Sequence, residues 1–272
     1  MRWKLQDLGL VLATEFLDAD DLHFGWFEPG EEATAESLIH AQQRYTHRLL
    51  AELPAEANRV LDAGCGTGGM VERLRAEGRD VEGLTPNPDL IARARERLGP
   101  EVLLHESPFE TFRTHHPFDA VLMAESCQYI KRMRGLEAAA RVLKPGGVLL
   151  LADVFRMKTL DEPYLSRGGH RHEIFLHTAV SNGFEVEMDR DITEAVLPTL
   201  ALYHDFLTKR IVPSAEAVCR SFDRAYPLVG RVARFFVGRR LALLRKRYQH
   251  QDPDTFRRYR SYRMMRLRLR AS

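Results

Sequence analysis

Apolar positions follow two periods along this 272-residue chain. Leu5, Leu8, Leu12 and Phe16 keep helical spacing and predict an amphipathic helix over residues 1–22, and a second helix is predicted over Glu36–Leu53, stopping before Pro54. Short apolar runs then alternate with helical stretches. Strands are predicted at Arg59–Ala63, Asp80–Leu84, Glu101–His105, Phe118–Ala124 and Val148–Val154. Helices are predicted from Met70 to Gly78, from the Thr85-Pro86-Asn87-Pro88-Asp89 start to Gly99, and over Arg134–Leu143. Ser107-Pro108-Phe109-Glu110 has the form of a capping box, and Lys144-Pro145-Gly146-Gly147 that of a turn into the fifth strand. Farther on, Arg171–Asn182 reads as a helix closed by Gly183, and Phe184–Asp191 as a sixth strand. Leu197 to about Gln249 reads as largely helical, broken near Pro213 and Pro227. In the last run Met265, Leu267 and Leu269 alternate with Arg266, Arg268 and Arg270, which predicts a half-buried strand with its arginines guarding a sheet edge. Strands alternating with helices imply a parallel, doubly wound α/β sheet, whose ligands lie beyond the carboxyl ends of the strands.

The centre of this pattern is Val60–Met70, V-L-D-A-G-C-G-T-G-G-M, where a strand ends in an acid, turns on glycines and starts a helix. Residues without Cβ let a ligand lie against the backbone, and the helix N-terminus offers N–H groups to a carboxylate or phosphate. A nucleotide-type cofactor site follows from this. Gly64, Gly66 and Gly69 also satisfy the dinucleotide spacing G-x-G-x-x-G, so the stretch alone leaves the cofactor open.

Composition changes this picture little: 44% apolar and 29% charged residues are ordinary for a soluble globular protein. Cys65, Cys127 and Cys219 form neither a disulfide framework nor a zinc pattern, and no signal-peptide or membrane-span pattern is found, so a cytoplasmic location is expected. Charge is more informative. The net +2 hides fourteen Arg or Lys against Asp252 and Asp254 after residue 230, on a body that is net acidic. Val232, Phe235, Phe236, Leu241 and Leu244 lie among these cations at roughly helical spacing. Such a helix suits packing on the core, an acidic acyl carrier protein that brings the substrate, or an anionic membrane surface. No nucleic-acid recognition motif accompanies the charge.

Three further stretches carry a resemblance. V-L-D-A-G-C-G-T-G, F-D-A-V-L-M-A-E-S and R-V-L-K-P-G-G-V-L-L-L-A-D resemble, in order and spacing, motifs of the class I S-adenosylmethionine-dependent methyltransferases over roughly Asn58–Thr193. L-H-F-G-W-F-E, L-T-P-N-P and D-I-T-E-A-V-L-P-T resemble that family's small-molecule branch, which includes tocopherol, sterol, sarcosine and sugar methyltransferases. The resemblance implies a seven-stranded Rossmann-like core and S-adenosylmethionine as cofactor. It places Asp62 and the Gly64, Gly66, Gly68 turn, with Cys65, at the methionine end of the cofactor and Phe24 over it. Thr85, Pro86, Ser107 and Phe109 fall on the remainder, and Met123 and Glu125 flank the transferring methyl. Thr85 stands where many members carry an acid for the ribose hydroxyls, and Cys127-Gln128-Tyr129 stands where some sugar O-methyltransferases carry a histidine base.

Candidate bases are therefore Glu125, Tyr129, His170, His172, His177, Tyr203 and His204. His170 and His172 lack a third ligand, so no metal is expected. The expected organisation is an N-terminal helical cap (1–56), a cofactor-binding core (57–196), a helical lid (197–255) and a final edge strand (256–272). The expected activity is methylation, at carbon or oxygen, of an apolar or aromatic metabolite. A lipid methyltransferase and a non-catalytic binding protein on the same fold are the alternatives.

Overall fold

The computed structural model describes residues 23–157, 169–225 and 252–271. The helix predicted over 1–22 and the cationic stretch at 231–248, with its proposed partners, lie outside the described residues.

Helix α1 (Ala35–Leu50) begins with a reciprocal cap, in which Thr34 Oγ1 accepts from Ser37 N at 3.1 Å and Ser37 Oγ accepts from Thr34 N at 2.9 Å. It buries Leu38, Ala41, Tyr45 and Leu49 on one face. Next come β1 (Arg59–Ala63), α2 (Gly69–Ala76), β2 (Asp80–Leu84), α3 (Pro88–Leu98) and β3 (Leu104–His105). β4 (Phe118–Ala124), α4 (Arg132–Val142) and β5 (Leu143–Arg156) follow, with 144–147 looping out between the pairs Phe118–Leu143 and Ala120–Val148. The described remainder is β6 (His170–Arg171), α5 (His172–Ser181), β7 (Phe184–Asp191), α6 (Thr193–Asp205), a π-helical stretch (Phe206–Ile211), α7 (Val212–Ala225), α8 (Pro253–Tyr259) and β8 (Arg260–Leu269).

The strands form one sheet in the order β3-β2-β1-β4-β5-β8-β7, with the short β6 pairing separately on β5. Every pairing is parallel except those of β8, which is antiparallel to both neighbours. Order reverses at β1, so the crevice between β1 and β4 is the switch point where such sheets take ligands. Alternate strand residues feed two cores. Val60, Leu122, Leu150, Tyr262 and Met264 pack with α1, α2 and α6 on one side; Leu61, Val121, Leu149, Met265 and Leu267 pack with α4 and α5 on the other.

Several expectations are corrected. β8 is interior rather than an edge: it pairs with β5 from Val148–Arg268 to Arg156–Arg260 and with β7 from Phe184–Leu269 to Asp191–Arg263. Its arginines answer the acids of β7. Arg263 Nε donates to Asp189 Oδ1 at 2.8 Å, Arg266 Nε to Glu187 Oε2 at 2.9 Å, and Arg268 also pairs with Glu187. The boundary expected at 196/197 falls inside α6, whose Val196, Leu197 and Leu200 are core residues. Pro213 does not break the helical run; the wider π turns immediately before it carry the chain past the missing N–H. The capping box at Ser107 does not form. Phe109–Thr111 is a single 3-10 turn without a side-chain cap, and Glu110 Oε1 instead accepts from Lys131 N at the start of α4.

Candidate active site

At the carboxyl end of β1 the chain turns on Gly64, Gly66 and Gly68, at φ of 106°, 55° and 91°. Gly64 has no room for a side chain, since an added Cβ would stand 2.2 Å from Cβ of Ser126. The turn is pinned to β2, where Leu84 O accepts from Gly64 N at 2.7 Å and Cys65 N at 3.1 Å. Gly68 then caps α2 in the left-handed region, so the first N–H groups of that helix point toward the turn. The Cys65 side chain is buried, and burial pushes its thiol far up, away from nucleophilic use.

Asp62 stands just before this turn at 2% exposure, and its Oδ2 has no hydrogen-bond partner among the described residues. Burial pushes its carboxyl up to about 7, with His23 pulling modestly the other way. A buried carboxylate oxygen without a donor, beside a glycine turn and a helix N-terminus, is suited to an ammonium–carboxylate ligand. Thr85 directly follows β2, buried, with Oγ1 3.4 Å from Asn87 N; the cap of α3 is Asn87 itself, whose Oδ1 accepts from Asp89 N at 2.9 Å. Glu82 is committed elsewhere, bound to Arg59 and to His105 Nε2 at 2.7 Å. Pro86 is exposed, Ser107 is half-buried, and Phe109 and Met123 are buried together in the second core.

Glu125, just past β4, is the hub of a polar–aromatic cluster. Its backbone has φ of +57°, the one positive value outside glycine among the described residues. Oε1 accepts from Phe24 N at 2.5 Å and from the Tyr262 hydroxyl at 2.8 Å, and that hydroxyl lies 2.9 Å from the hydroxyl of Tyr45. The Phe24 ring sits 5.5 Å from that of Tyr262 and 6.4 Å from that of Tyr203; His23 stacks on Tyr45 at 4.6 Å. Burial raises the Glu125 carboxyl, while the Phe24 N–H, His23 and the Tyr262 hydroxyl lower it. Within β5, Asp153 is fully buried and accepts from Gln128 N at 2.8 Å and Val154 N at 2.7 Å; burial, with the Glu125 charge adding to it, pushes its carboxyl up to about 8.

Of the candidate bases, the structure gathers Glu125 and Tyr203 around Phe24. Tyr129 is 66% exposed on the turn after β4. His170 stacks on Phe175 in the second core, its Nε2 3.0 Å from Cys127 O, and burial lowers its pKa. His172 Nε2 pairs with Asp189 Oδ2 at 2.8 Å, and His177 is exposed on α5. His204 follows Tyr203, half-buried, with its carbonyl accepting from Thr208 Oγ1 at 2.7 Å. Sequence reasoning missed Tyr45, Asp153, Tyr262 and His23. Antiparallel pairing of β8 on β5, which sets Tyr262 opposite Val154, is what brings Tyr262 to the ligand side of the sheet.

A family profile described as a methyltransferase domain matches residues 60–147. The dTDP-3-amino-3,4,6-trideoxy-alpha-D-glucopyranose N,N-dimethyltransferase of Streptomyces venezuelae is 35% identical over 123 residues, covering 43% of this chain and 52% of that protein. An uncharacterized methyltransferase of Mycobacterium tuberculosis is 39% identical over 97 residues, covering 36% of this chain and 40% of that protein. The chain therefore spans about half or less of the length of these curated relatives. In fold it is similar to geranyl diphosphate C-methyltransferase from Streptomyces coelicolor A3(2), solved with Mg2+, geranyl-S-thiolodiphosphate and S-adenosyl-L-homocysteine. The TM-score is 0.66 at 15% identity, covering 96% of this chain and 91% of that one.

Proposed function

We propose that this chain, which belongs to the class I S-adenosylmethionine-dependent methyltransferases, transfers a methyl group to a small apolar or aromatic metabolite. The observation that carries the reading is the unpartnered Oδ2 of buried Asp62 beside the Gly64–Gly68 turn at the switch point of the sheet. When bound, the cofactor supplies a methyl carbon already activated by a sulfonium.

The chain's own residues supply recognition and positioning. Asp62 Oδ2 would accept from the ammonium of the methionine end, and N–H groups of the turn and of the α2 start would donate to its carboxylate. Thr85 Oγ1 directly after β2 would meet the ribose hydroxyls. Phe24 offers an aromatic face to a cation, worth about 0.5–2 kcal/mol. Glu125, reaching the same cluster from β4, is the group best placed to take a proton from the acceptor. Tyr203 and the helical run of α6 and α7 would cover the acceptor and exclude water. With the reacting carbon already electrophilic, such positioning supplies much of the acceleration.

Calorimetric titration with S-adenosylhomocysteine, beside an Asp62→Ala control, tests the cofactor assignment. Micromolar binding that the substitution abolishes supports it and opens an acceptor screen starting from phenolic and carrier-bound compounds. A folded wild-type protein that does not bind points instead to a non-catalytic protein on this fold.

A further inference from the structure

Two donors converge on one oxygen of Glu125, and a third group stands behind one of them. The Phe24 N–H and the Tyr262 hydroxyl both donate to Oε1, at 2.5 and 2.8 Å. Because Tyr262 gives its proton to Glu125, the 2.9 Å contact between the two phenols is a donation from Tyr45 to the Tyr262 oxygen. Tyr45 and Tyr262 are both at 0% exposure. Oε2 has no partner among the described residues. The backbone that presents this carboxylate is in the left-handed region at φ +57°, a conformation a glutamate adopts only at a cost.

We propose that Tyr262, backed by Tyr45, is a positioning residue for Glu125: the two phenols hold the carboxylate by Oε1 and leave Oε2 open to take the proton of an O–H or N–H group on the methyl acceptor. This rests on the proposed methyl transfer. In the proton step the acceptor's O–H or N–H bond breaks, the proton bonds to Oε2, the carboxylate becomes a neutral acid, and the electron pair left on oxygen or nitrogen becomes the nucleophile. The groups facing Glu125 are His23 before α1, Tyr45 on α1, Asp153 on β5, Tyr203 on α6 and Tyr262 on β8. The phenol array opposes the burial that disfavours ionised Glu125, since a donor bonded to a carboxylate favours its charged form.

The experiment is a pH titration of the full chain labelled with 13C at the glutamate side-chain carboxyl. Glu125→Gln identifies the signal by its disappearance. Tyr262→Phe, which keeps the ring, should raise the Glu125 midpoint by about one pH unit, a tenfold change in proton affinity, as the loss of one hydrogen bond to a charged group requires. Tyr45→Phe should move it the same way by about half as much, and both variants should melt cooperatively near wild type. Midpoints that coincide with wild type in both variants overturn the proposal, whatever their activity. So does an acceptor methylated at equal rates by wild type and Glu125→Gln. Titration with S-adenosylhomocysteine separates this failure from failure of the family reading: cofactor binding with unmoved midpoints overturns only the positioning role.

Discussion

Asp62→Asn should make the ligand-free protein more stable while destroying its affinity for the cofactor. The Asp62 carboxyl stands at about 7 when folded against 3.8 for an ordinary aspartate, chiefly because burial disfavours its charge. The folded protein thus keeps this proton to higher pH than the unfolded chain does. Asp62 costs nothing below the unfolded value; the cost grows as pH rises and levels off above the folded one. Three units correspond to roughly 4 kcal/mol as an upper bound, and relaxation with water entry reduces this to about 2 kcal/mol. Thermal melts of wild type and Asp62→Asn should therefore separate by about 4–6 °C above pH 7.5, by roughly half of that near pH 4.5, and converge only below the ordinary aspartate value of 3.8. S-adenosylhomocysteine should bind wild type more tightly as pH rises from 5.5 to 7.5, because binding an ammonium requires the ionised acid, and should not bind the variant. A gap between the two melting curves that stays constant with pH would refute the burial argument.

Other positions give shorter tests. Gly64→Ala places a Cβ 2.2 Å from that of Ser126 at a φ of +106°. It should cost about 2–4 kcal/mol in denaturant melts and weaken S-adenosylhomocysteine by more than tenfold. Gly146→Ala, with positive φ but open space around it, should cost only about 1 kcal/mol. Thr85→Val removes the buried hydroxyl with little change in shape, so S-adenosylhomocysteine should weaken about tenfold in calorimetry while the melting temperature holds. Arg263→Ala leaves Asp189 and Asp191 without their guanidinium; a loss of about 2 kcal/mol is expected, with faster amide exchange concentrated in β7.

Much of the core was legible because its signals are local. β1, β2, β4 and β7 have the bounds their apolar runs predict, and the glycine turn sits where a Cβ cannot. Errors arose where distant segments meet. Arg266 and Arg268 were read as edge protection because alternation reports only that one face is polar; it does not show that Glu185, Glu187, Asp189 and Asp191 of β7 carry the matching acids. A sequence reader could have matched these two alternating strands by charge. Glu125 was visible as a motif residue, but its partners Tyr45 and Tyr262 lie 217 positions apart and meet through tertiary packing alone. His170 and His172 stood out as a chemical pair, yet each is engaged, with Cys127 O and with Asp189, in supporting the second half of the sheet.

The antiparallel insertion of β8 between β5 and β7 also sets an order of events. Glu185 and Arg268 are partners 83 positions apart, so β7 has no strand to lie against until β8 has been made and threaded beside β5. Such distant pairings close slowly, since chain entropy is lost before the contacts form. Tyr262 travels on the same strand and reaches Glu125 only when β8 docks. Completion of the sheet and delivery of the phenol to the carboxylate are thus one event, and a nascent or incompletely folded chain carries the glycine turn and Glu125 before it carries the phenol that holds that carboxylate.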